Sequence, residues 1–157
     1  VFSTLHTNNA LGAIPRLIDM GVDPYLIAPT LVLTMAQRLV RKLCPNGGKP
    51  IAVKDSIKLM IDKQFEDLPL EFKRELIFGE KVYEIEQTSE CLNGTSGRVA
   101  VVEILEMDKN IEAVILKNPT ETELYKVARA KGMLSMKEDA ILKAFQRIIP
   151  FEEINTL

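Results

Sequence analysis

The residue best equipped for chemistry is His6, the only histidine in 157 residues. It stands in the stretch VFSTLHTNN, residues 1–9, beside Thr4, Thr7, Asn8 and Asn9. An imidazole N–H, hydroxyls and amides can all donate to phosphate oxygens. A lone histidine is more often structural, and here it is the company of Thr4, Thr7 and Asn8 that favours a ligand-facing role. No complete catalytic set accompanies it. The sequence has no G-x-x-x-x-G-K-[ST] loop to cradle phosphates and no G-x-S-x-G elbow. One histidine and two distant cysteines do not assemble a thiol-protease pair, and no pair of carboxylates stands out. His6 therefore reads as one part of a site completed elsewhere. Cys44 and Cys91 each adjoin a turn, but a structural zinc needs four ligands, typically from two C-x-x-C knuckles. The partner positions hold Gly47 and Thr88, so no metal site is expected. So few cysteines in an intracellular-looking chain also argue against a disulfide scaffold.

The elements that would position His6 follow from spacing. Val1, Phe2 and Leu5 read as a buried strand end, and a helical stripe of Leu11, Ile14, Leu17 and Ile18 begins just afterwards. In open α/β sheets, ligands bind outside the carboxyl ends of strands. A parallel strand needs neighbours and nothing before Val1 supplies them, so the chain reads as the downstream portion of something larger. Pro15 either starts the regular helix or distorts it. Gly21 suits the position past a helix end, and Asp23-Pro24 offers an N-cap with proline at the first helical position. Residues 30–43 read as the most hydrophobic helix, with Leu33, Ala36, Val40 and Leu43 on one face. Gln37, Arg38, Arg41 and Lys42 gather opposite, as a solvated face or a contact for an acidic neighbour or a phosphate.

At Cys44 the texture changes, and the turn cluster Pro45-Asn46-Gly47-Gly48 marks a boundary. Asp55 or Ser56 can cap a helix carrying Ile57, Met60, Ile61 and Phe65, and a short helix covers residues 70–77. Residues 81–87 and 98–105 have strand composition and are expected to pair as an antiparallel ribbon. Asp108 caps a helix ending before Pro119. Thr120 with Glu123, and Ser135 with Glu138, read as capping boxes, and residues 151–157 begin one more helical turn. The net charge of −2 and pI near 5.6 give no basic field for nucleic acid. No apolar run approaches the roughly 20 residues of a membrane span.

Five segments carry a resemblance. STLHTN (residues 3–8), RLIDMGVDPYLI (16–27) and AQRLVRKLCP (36–45) are similar to the hexameric secretion ATPases, the motors of type II secretion and type IV pilus assembly. GRVAVVEIL (97–105) and GMLSMKEDAILKA (132–144) resemble the far C-terminus of the same family, in the same order. The resemblance implies an α/β fold: the C-terminal part of a RecA-like P-loop domain with the His box (1–43), then a small α+β insertion (44–97) and a mainly helical C-terminal domain (98–157). It implies that His6 senses the γ-phosphate side of ATP, that Thr4, Thr7 and Asn8 shape the loop, and that Walker A and B lie before Val1. ATP and magnesium are then the cofactors of the full-length protein. Its partners are five further copies in a hexamer and an inner-membrane platform protein, and its place is cytoplasmic, peripheral to the inner membrane. This branch commonly binds zinc through two C-x-x-C knuckles, so Cys44 and Cys91 resemble remnants of a tetracysteine site that has lost its metal. Retraction-type relatives usually lack the insertion, which favours an assembly or secretion motor. A DNA-uptake motor of the same family and a silent interaction module without a P-loop are the alternatives.

Overall fold

The computed structural model describes residues 1–157. The chain forms two compact units, each discontinuous in sequence: Val1–Ala36 with Glu103–Leu134, and Gln37–Val102 with Ser135–Leu157. Two long strands, β1 (Leu33–Leu43) and β4 (Thr95–Glu106), pair with each other and each contributes residues to both units. Met107 N–H donates to the Val32 carbonyl at 3.0 Å and Cys44 N–H to the Gly94 carbonyl at 3.5 Å, so these strands run antiparallel.

The first unit packs helices α1 (Ala13–Asp19), α2 (Pro24–Thr30), α5 (Lys109–Lys117) and α6 (Glu121–Arg129) around Ile14, Ile27, Leu105, Ile111, Ile115 and Leu124. Pro15 falls in the first turn of α1, where a missing N–H removes no intrahelical bond. Gly21, at φ +89°, ends that helix. Its N–H donates to the Ile18 carbonyl and the Val22 N–H to the Leu17 carbonyl, the paired bonds of a Schellman stop. Asp23 caps α2 through the Tyr25 N–H and Pro24 opens it, as the sequence predicts.

The second unit holds α3 (Asp55–Gln64), α4 (Leu70–Lys73), α7 (Met136–Phe145) and a 3-10 helix, Phe151–Thr156. The short strands β2 (Lys49–Ala52) and β3 (Lys81–Glu84) pair antiparallel, Ile51 opposite Val82. Phe65, fully buried, meets Phe78 edge-on at 5.1 Å, and Phe78 meets Phe145 at 5.9 Å.

Several expectations are corrected. Residues 1–5 form no strand, and Val1, Phe2 and Leu5 are exposed: both sheets in this chain are pairs of other strands, so nothing bonds to this edge. Residues 33–43 are a strand rather than a helix. Leu33, Ala36, Val40 and Leu43 fit a helical stripe, but the ladder offered by β4 overrides so weak a preference. The ribbon is also re-partnered: β3 pairs with β2 and β4 with β1. Neither Asp55 nor Ser56 caps α3, which starts at Asp55 after an uncapped Lys54.

The Ser135–Glu138 box is complete. That at Thr120 is half-formed: Thr120 Oγ1 accepts the Glu123 N–H, while the Glu123 carboxylate turns to Lys126 at 2.6 Å.

Candidate functional site

The turn into α1 is where the loop bearing His6 meets the folded body. Asn9 Oδ1 accepts the Gly12 N–H at 2.7 Å and Asn9 Nδ2 donates to Glu121 Oε2 at 3.2 Å. A Cβ at Gly12 would lie 2.9 Å from Glu121 Oε1 and 3.1 Å from Asn9 Oδ1, so a side chain there would displace the Glu121 carboxylate. Ala10 is buried; its N–H donates to Glu103 Oε1 and its carbonyl accepts the Thr34 hydroxyl, both at 2.8 Å.

Upstream of this turn the loop is open. His6, Thr4 and Asn8 are exposed and make no hydrogen bond or ion pair. Thr7 is half-buried, its hydroxyl donating to the Asn9 carbonyl at 3.0 Å. The candidate residues are thus adjacent in the chain and turned to solvent, and only Thr7 is tied. Glu103 and Thr34 escaped the sequence reading. The signal for Glu103 was present as a single carboxylate inside Val101-Val102-Glu103-Ile104-Leu105, an apolar strand run.

The cysteines depart from expectation. Cys44 and Cys91 are joined in a disulfide, with Cα atoms 6.6 Å apart, inside the range such a bond spans. Two turns bring them together. Gly47 N–H donates to the Cys44 carbonyl at 2.8 Å, and Thr88 and Cys91 exchange both backbone bonds at 3.1 Å. The turns border a cavity of about 690 Å³ that Ser89 and Asn93 also line. These residues do not fit a structural zinc: both thiols are consumed in the S–S bond, positions 47 and 88 carry no strong ligand, and no three His, Cys, Asp or Glu side chains converge.

Of the basic residues near the end of β1, Arg38 and Lys42 are exposed. Arg41 meets an acidic neighbour: its backbone N–H and its Nε donate to the two carboxylate oxygens of Glu153, at 2.8 and 2.7 Å. No helix is long and apolar enough to cross a membrane.

Fold and site define a mixed α/β chain that presents one histidine on an open loop, ahead of a helix whose entry turn is held by Asn9. The chain belongs to the type II/IV secretion system protein family, whose model matches residues 1–156. It is 35% identical over 156 residues to the type IV pilus assembly ATPase PilB of Thermus thermophilus, covering 98% of this chain and 16% of that protein. It is 36% identical over 155 residues to type II secretion system protein E of Xanthomonas campestris, covering 98% and 26%. It is 36% identical over 156 residues to type II secretion system ATPase E of Vibrio cholerae, covering 98% and 28%. The chain therefore spans little more than a quarter, at most, of the length of these relatives.

Proposed function

We propose that this chain is the C-terminal part of a hexameric ATPase that powers pilin or pseudopilin assembly, in type IV pilus biogenesis or type II secretion. The observation that carries this reading is the family match over residues 1–156, to relatives named as pilus-assembly and secretion ATPases. Residues 1–43 would be the tail of a RecA-like core, 44–97 an insertion that has lost its metal, and 98–157 a mainly helical C-terminal domain. ATP with magnesium would be held by a P-loop and a Walker B carboxylate outside these residues, since the sequence carries no G-x-x-x-x-G-K-[ST]. His6 would supply a donor to the γ-phosphate, and its exposed, unbonded ring leaves both nitrogens available for that contact. Thr4, Thr7 and Asn8 would shape the loop around it. Nucleotide state read at His6 would drive rigid-body motion of the hexamer toward an inner-membrane platform protein, placing the motor in the cytoplasm at the membrane face.

Turnover assays test this directly. The 157-residue chain alone should hydrolyse no ATP. In the longer protein, His6→Ala should lower kcat on the order of 10²-fold, the usual consequence of removing one donor to developing charge. Hydrolysis by the chain alone, or an unchanged kcat after His6→Ala, would refute the assignment.

A further inference from the structure

Glu103 is the only carboxylate in the run Val101–Leu105 of β4 and is 7% exposed. A carboxylate leaves water to that extent only against partners that satisfy it. One of them is the Ala10 N–H, 93 residues away in sequence. Ala10 is 1% exposed, so water does not compete for that N–H. The Thr34 hydroxyl takes the carbonyl of the same residue. The peptide groups on both sides of Ala10 are thus fixed, one by each strand of a single sheet. Ala10 stands four residues past His6; between them Asn9 is held by the Gly12 N–H and Glu121 and Thr7 bonds the Asn9 carbonyl, while His6 and Asn8 make no bond. A tether of four residues reaches no further than about 14 Å, so the direction in which it leaves Ala10 sets where the imidazole can stand.

We propose that Glu103 is a positioning residue for His6. By holding the Ala10 peptide it fixes the point from which the loop departs, and hence the placement of the ring against the terminal phosphate of a nucleoside triphosphate. The proposal rests on the reading of His6 as a phosphate contact. Glu103 itself touches no nucleotide.

Two measurements test it. Amide hydrogen exchange at Ala10 in the 157-residue chain should accelerate tenfold or more in Glu103→Ala. In Glu103→Gln, whose amide oxygen can still accept, it should accelerate less than threefold. In the longer ATPase, Glu103→Ala should lower kcat at least tenfold while KM for ATP moves less than threefold, and Glu103→Gln should recover most of the kcat. A merely structural residue would lower the folded fraction without that split or that rescue. Should Glu103→Ala fail to fold, Thr34→Val removes the second tie without opening a charge site and should show the same split.

Unchanged exchange at Ala10 in Glu103→Ala would overturn the proposal, as would faster exchange with unaltered kcat. Were His6→Ala to leave turnover intact, the functional reading would fall and this proposal with it. Ala10 exchange would then show separately whether the Glu103 tie exists.

Discussion

Glu153 and Asp62 each meet a cation, and burial decides what each pair contributes. The Glu153 side chain is 7% exposed and takes two bonds from Arg41, whereas Lys58 and Asp62 are 63% and 56% exposed at 2.6 Å. Hydrogen bonds to a charged group contribute about 1.5–3 kcal/mol, toward the lower end here because the Arg41 side chain is 55% exposed, while an exposed helical pair contributes about 0.3–0.5 kcal/mol. Glu153→Ala should therefore shift the urea midpoint clearly, and Lys58→Ala hardly at all. Equal shifts would remove the distinction. Single residues were legible in the sequence where their partner is local. Asp23, Asp108 and Ser135 cap as expected because the N–H they accept lies two or three residues on. Glu103 and Glu153 were invisible because the bonds they accept from Ala10 and Arg41 span 93 and 112 residues. The loop of His6 could be located as a candidate, but not the residues that fix its base.

Among elements, the helix starts divide by how many backbone donors they satisfy. At Ser135 the hydroxyl accepts the Glu138 N–H at 3.3 Å and the Glu138 carboxylate accepts the Ser135 N–H at 2.8 Å. At Thr120 a single bond of 3.4 Å remains. Loss of an N-cap costs about 0.5–2 kcal/mol. Ser135→Ala should fall in the upper half of that range and Thr120→Ala near its lower end, as read from thermal unfolding of each variant; the reverse order would contradict the geometry. Helices α5, α6 and α7 were readable because stripe and cap agree within ten residues. Strand β1 was not, because its four apolar positions satisfy a helical period and only the distant β4 decides otherwise. The same non-locality hid the pairing of β3 with β2.

On the scale of the whole molecule, the mixed α/β class and the order of most elements could be read from sequence, but not the closure of a long segment by a covalent bond. Cys44 and Cys91 stand 47 residues apart, and closing a loop of that size restricts the unfolded chain by about 4 kcal/mol in the chain-entropy model. Denaturant melts with and without dithiothreitol should differ by a shift of that order, and Cys44→Ser should melt like the reduced chain. Coincident curves would mean that the bond does not form in solution. A different experiment follows from the turns that hold these cysteines. Position 47 lies outside the left-handed region, and the three atoms nearest to a Cβ there all belong to Cys44, at 3.1 Å or more. Thr88 already sits across a bridge from Cys91. Installing Gly47→Cys with Thr88→Cys, under reducing conditions, should therefore assemble a four-thiolate cage and draw in one zinc per chain by elemental analysis. Two substitutions would thus exchange a covalent staple for an ion-held clasp on the same pair of turns.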